Sequence, residues 1–233
     1  MTIAEMHLAF TVQYDSVSTL GYPGFEPEEI DLFLNRSIQR FVVTRYTGNN
    51  VKGESFEDNQ KRIEDLRVLV VNNLLTRTNI VASTTYPNAF EYTLPNGTPD
   101  PNYLFMVSCE AGVDRDECGE TVTNRRIAIK QITHDQYVTY TRDPFNKPNL
   151  NRVLAIFEGN KVILITDGTY NVTAFYMSYL TYPNVVSLSG PVNCNLPSYT
   201  HQEIVDLAVQ LCVAAVENPQ RLQIEQNLST NNE

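Results

Sequence analysis

The spacing of apolar residues changes part-way along this chain, and the change decides what the chain can fold into. Up to about residue 78, apolar side chains recur at helical intervals. From about Asn79 they alternate with polar ones, and near Thr200 the helical interval returns. A period of 3.6 buries one stripe of a helix and a period of 2 buries one face of a strand, so no single element type suits the whole chain. The expected class is α+β. N-terminal helices occupy 1–78, an antiparallel β-sheet 79–192, and a C-terminal helix with a tail, packing on the core, 193–233, all in one compact domain.

Local signals place the elements. Thr2 and Glu5 form a capping box ahead of Ile3, Met6, Phe10 and Val17, predicting a helix over about 3–18. Gly21-Tyr22-Pro23-Gly24 breaks the chain. Pro27 suits a first helical position, and Glu28, Glu29 and Asp31 complement the positive end of the helix dipole. Ile30, Phe33, Leu34, Ile38, Phe41 and Val42 then draw one apolar stripe to about Tyr46, with Gly48 beyond it. A third helix is expected from Ser55, with Ile63, Leu66 and Val70 on its buried side.

Alternation runs through Phe90, Tyr92 and Leu94 to a Pro95-Asn96-Gly97 turn, then from Tyr103 to Ala111. Asp114 to Glu120 reads as a polar loop, Ile127 and Ile129 as a strand, and Thr133-His134-Asp135 as the cap of one helical turn ended by Pro144. Val153–Phe157 and Val162–Ile165 flank Glu158-Gly159-Asn160 as a hairpin, and Val172–Tyr182 is another strand. Five to seven strands are expected. A second capping box, Thr200 with Glu203, opens a helix whose apolar face is Ile204, Leu207, Ala208, Leu211 and Ala215; Pro219 interrupts it, and a shorter helical piece follows.

Composition narrows the function. Apolar residues make up 42% of the 233 positions, enough for a core. Seventeen basic residues against 27 acidic ones leave a net charge of −10, which lacks the clustered Lys and Arg of a phosphate-binding surface. The charge is uneven. Residues 1–35 carry no Lys or Arg but six acids: Glu5, Asp15, Glu26, Glu28, Glu29 and Asp31. From Val162 onward a single base, Arg221, faces six acids. These ends are solvated acidic faces or, on a sharper reading, a surface that repels passing DNA. Thirteen Tyr and ten Phe, with no Trp, suit a chain that buries surface against neighbours. Four widely spaced cysteines are too few for a disulfide scaffold. No signal peptide and no membrane span are expected.

Candidate chemistry is thin. His201-Gln202-Glu203 matches half of the zinc deaminase signature, but the Pro-Cys-x-x-Cys half is replaced by a lone Cys194. Asp114, Asp116 and Gly119 resemble the start of a calcium loop, but Cys118 and Arg125 stand where oxygen ligands are required. Cys109 and Cys212 fit core positions, and His7 and His134 read as surface or capping residues. No nucleophile elbow or phosphate loop is present. Arg125, Arg126 and Lys130 form the one dense basic patch, with Arg125 and Arg126 on opposite faces of a strand; it is small for nucleic acid and fits an acidic neighbouring subunit equally well. No enzyme, cofactor or metal is expected.

Four stretches in order carry a resemblance. They are Glu28–Asn35 running on to Arg40-Phe41, Phe56–Leu66, Ile132–Asp135 with Asp143-Pro144-Phe145-Asn146-Lys147-Pro148, and Cys194–Pro197 with Tyr199–Val205 and Glu217-Asn218-Pro219. Together they resemble the virion structural proteins of crAss-like tailed bacteriophages that form neck or tail rings and head-to-tail connectors. The resemblance implies a non-enzymatic ring of twelve copies, built in the bacterial host cytoplasm and stacked beneath the portal protein. Adjacent ring and tail proteins would be its neighbours, double-stranded DNA would pass through without specific binding, and no membrane is involved. Subunit or portal contacts are expected at Arg125 and Arg126, and at Arg221, Leu222 and Ile224 on a docking arm after Pro219. Two alternatives remain from the residues alone: a monomeric binding module, and a metal-dependent hydrolase using His201, Glu203 and a cysteine.

Overall fold

A computed structural model describes residues 1–17, 24–48, 55–76, 80–95, 102–117 and 120–216. The chain forms two compact units, one from Met1–Leu69 with Pro183–Glu233 and one from Val70–Tyr182. The architecture is α+β, as the change of period requires.

The first unit is helical. α1 (Ile3–Val17) opens on its capping box, the Thr2 N–H donating to Glu5 Oε2 at 2.9 Å and the Glu5 N–H to Thr2 Oγ1 at 3.3 Å. α2 (Pro27–Thr47) starts at its proline and stops at Gly48, whose φ of 69° is the left-handed turn that favours glycine. α3 (Gln60–Leu66) is shorter than its sequence signal, because Ser55 folds back on Asp58 at 2.7 Å and the helix is capped instead by Asn59. The C-terminal helix (His201–Val216, α5 in chain order) packs on both α1 and α2. Met6, Phe10, Leu34, Ile38, Phe41 and Val42 meet its Ile204, Val205, Ala208, Val209, Cys212 and Val213, all at most 2% exposed. Each large side chain so buried contributes about 1.5–3 kcal/mol. The buried face of α5 is turned from the expected one, and Ala215 is exposed. Nearly every residue from Ile204 to Val216 is apolar, so periodicity alone cannot fix which side faces inward.

The expected cap of α5 does not form. The Thr200 hydroxyl donates to the Pro197 carbonyl at 2.8 Å, closing a 3-10 turn over Ser198–Thr200, and the Glu203 carboxylate is engaged elsewhere.

The second unit is one eight-stranded sheet in the order β1-β8-β4-β5-β6-β7-β3-β2. Its strands are β1 (Val70–Thr76), β2 (Ile80–Ala82), β3 (Ala89–Thr93), β4 (Tyr103–Glu117), β5 (Glu120–Gln131), β6 (Arg152–Glu158), β7 (Lys161–Ile165) and β8 (Asn171–Thr181). All neighbours are antiparallel except β5 and β6, whose parallel pairing is joined by a crossover containing α4 (Tyr137–Arg142). β1 is the strand the sequence hides: in Val-Val-Asn-Asn-Leu-Leu-Thr like residues come in pairs, which erases the alternation. The expected polar loop at 114–120 is mostly strand, since β4 runs to Glu117 and β5 begins at Glu120; Cys118 and Gly119 lie outside the described residues. The β6–β7 hairpin turns as expected at Gly159, φ 55°.

The sheet rolls. Tyr92 on β3 and Phe175 on β8 are separated by four strands in the order, yet their rings are 5.2 Å apart. The concave side holds Ala111, Val113, Val153, Leu164, Phe175 and Tyr179. On the opposite side of β6 and β7, Leu154, Ile156, Ile163 and Ile165 are also buried, with Tyr86, Tyr137 and Tyr140 packed against them. The hairpin is therefore apolar on both faces, which is why its strands read as continuous runs rather than alternations.

Candidate functional site

His201, Glu203, His7 and Asp114 are each held in a structural role. His201 is 4% exposed and its Nε2–H donates to the Leu196 carbonyl at 2.9 Å, anchoring the start of α5. Glu203 points to Arg45 of α2, whose Nε lies 3.2 Å from Asp65 Oδ2 of α3. The Arg45 guanidinium also stacks 4.8 Å from the Phe41 ring centroid. Three helices are thus cross-linked by one buried cation. Burial pushes the Glu203 carboxyl above its ordinary 4.5, with the Arg45 and Lys61 charges pulling it back down. His7, expected at the surface, is buried instead: its Nε2 sits 2.7 Å from Asp31 Oδ1, and the Leu188 N–H donates to Asp31 Oδ2 at 3.1 Å. One turn on, Asn35 donates to the Val186 carbonyl at 2.9 Å and accepts from its N–H at 2.8 Å. Asp31 and Asn35 together clamp the chain as it returns after Pro183.

Asp114 Oδ1 accepts from the Asn124 N–H at 2.6 Å and the Thr173 hydroxyl at 3.2 Å, so this carboxylate is spent within the sheet. Burial pushes the Cys109 thiol up to about 11 and raises Cys194 as well; Cys212 is buried. Among the described residues no group of three or more His, Cys, Asp or Glu is placed to hold a metal ion, and no helix is long and apolar enough to cross a membrane.

What the described surface offers is contact area. Arg125 and Arg126 are both exposed, but they serve different neighbours. Arg125 Nη2 donates to Asn151 Oδ1 at 3.0 Å, whereas Arg126 lies 3.5 Å from Glu110 and 4.0 Å from the Tyr176 ring centroid. Arg221, Leu222 and Ile224 lie outside the described residues. Sequence reasoning missed the most exposed large apolar side chain among the described residues, Phe145, at 88%. Its loop is rigidly made. Asp143 accepts from the Phe145 N–H at 2.9 Å, and Arg152 donates to the Phe145 carbonyl at 2.6 Å. The signal for it is Asp-Pro-Phe-Asn, an Asx turn that sets an aromatic residue at its tip. On α1, Leu8 and Val12 are 65% and 62% exposed on the side away from Met6 and Phe10.

Comparison with known proteins gives the chain a family. The family model described as "Phage tail ring protein 3/4" matches residues 1–222. A relative from Bacteroides phage crAss001, "Ring protein 4/5", is 24% identical over 249 residues, covering 97% of this chain and 98% of that protein. A match running through both units and every described element settles the family: this chain belongs to the phage tail ring proteins.

Proposed function

We propose that the chain is a structural subunit of a homo-oligomeric ring of twelve copies at the head-to-tail junction, stacked beneath the portal protein and against adjacent ring and tail proteins. It is made in the host cytoplasm, ends in the virion, and lets double-stranded DNA pass through its channel without specific binding. The observation that carries this reading is the ring-family match across residues 1–222. A closed ring joins each subunit to the next through two different faces. The exposed apolar and basic side chains described above supply material for such faces. Arg125 and Arg126 belong to the subunit or portal contact, and Arg221, Leu222 and Ile224 to a docking arm. Three acids at the start of α2, Glu26, Glu28 and Glu29, are exposed and suit a wall that repels DNA, whereas Asp31 is turned inward to His7.

The test is the mass of the full chain by light scattering, alone and mixed with portal protein. Assembly in a fixed multiple, with or without portal, is expected. A chain that stays monomeric and indifferent to portal refutes the reading.

A further inference from the structure

Two surface patches of this chain are complementary in residue type: each sets apolar side chains between charges, and the charges are of opposite sign. The first surrounds Phe145. Residues 125–152 hold six basic residues against two acidic ones, in a chain whose net charge is −10. Phe145 stands 88% exposed among them, with Arg142 and Lys147 exposed on either side. No ion pair among the described residues engages Arg142 or Lys147. The hydrogen bonds that Asp143 accepts and Arg152 donates fix the loop, so little conformational freedom is lost when its tip is covered.

The second patch is the outer face of α1. Glu5, Leu8, Val12 and Asp15 follow one another at helical spacing and are all exposed: two apolar residues at the centre, an acid at each end. No Lys or Arg occurs anywhere in residues 1–35, and His7 is buried against Asp31. A loop that presents an aromatic between two cations matches a helix face that presents aliphatics between two anions. Phe145 belongs to the sheet unit and α1 to the helical unit, so the two patches are different stretches of chain, and a head-to-tail contact joins two different surfaces.

We infer that the occupant of the α1 face is the Phe145 loop of a second copy of this chain: Phe145 packs on Leu8 and Val12, with Lys147 and Arg142 facing Asp15 and Glu5. The inference rests on the ring reading and specifies its subunit contact.

The experiment mixes full chain bearing p-benzoylphenylalanine at position 145 with isotope-labelled wild-type chain, in the presence of portal protein. After irradiation, the cross-linked peptides are mapped by mass spectrometry while light scattering follows assembly. The expected product joins position 145 of one copy to residues 5–15 of the other isotope. Lys147→Glu lowers its yield about tenfold, and Asp15→Lys in the receiving copy restores it, because the reversed charges attract again. Both side chains are exposed, so neither change threatens folding. A cross-link to another part of the second copy, to portal, or within one chain overturns the inference. So does a failure of Asp15→Lys to rescue. If rings assemble and position 145 does not reach α1, this contact is wrong and the ring reading stands; if nothing assembles, both fall.

Discussion

Arg45 is 3% exposed, with its guanidinium facing two carboxylates and the ring of Phe41. Removing it as Arg45→Ala strands Asp65 without its partner cation, at a cost of about 3–5 kcal/mol, visible as a lower urea midpoint. Glu203 adds a pH dependence whose sign follows from its raised pKa. The folded chain holds this proton more tightly than the unfolded chain does. That contribution to stability is complete below the ordinary 4.5 and is lost as pH rises through the raised value. Glu203→Gln should therefore flatten the stability profile in the window that opens at the ordinary 4.5 and extends upward from it; a slope that survives the substitution contradicts the assignment. The thiols give a third check. With Cys109 raised to about 11, roughly one molecule in a thousand carries its thiolate at about pH 8, so iodoacetamide should label it very slowly in the native state and readily in urea. None of these partnerships was legible in the sequence. Arg45, Asp65 and Glu203 are far apart along the chain, and a lone His201-x-Glu203 looks the same whether it awaits a metal or an arginine.

At the scale of elements, the strongly patterned ones were legible and the others were not, for identifiable reasons. α1 and α2 carry a proline or capping box, a stripe and a stop, and their bounds follow from those signals. β1 was hidden by its doubled residues, and the inward side of α5 by its apolar excess. The clamp from α2 to the returning chain was invisible too, because Asn35 replaces a strand partner with one amide group. Its two bonds to Val186 are the whole of that pairing among the described contacts. Asn35→Ala should lose about 1–3 kcal/mol and speed hydrogen exchange at the Val186 amide, while the sheet amides stay protected. Exchange that spreads equally into β4 and β8 would show that the residue does not act locally.

For the whole molecule, charge sets the expectation. With 27 acids against 17 bases, the full chain should leave double-stranded DNA unshifted in a gel even at low salt. Tight binding there would remove the case for a channel that DNA slides through. The ring function was legible through the ordered resemblance of four stretches, while the contact surfaces were not, because exposure is decided by tertiary packing: periodicity sets Leu8 off the stripe of Ile3, Met6 and Phe10, but nothing in the sequence says whether another element covers that second side. The discontinuity of the helical unit has a consequence for how the protein is born. α1 and α2 leave the ribosome first, but α5, which packs on both, follows only after Val70–Tyr182 has been translated, a delay on the order of ten seconds. During that wait the inserted sheet can complete its own fold while the early helices lack their lid. A nascent or truncated chain is thereby kept from presenting a finished helical unit, so synthesis itself schedules when a copy becomes eligible to join its neighbours.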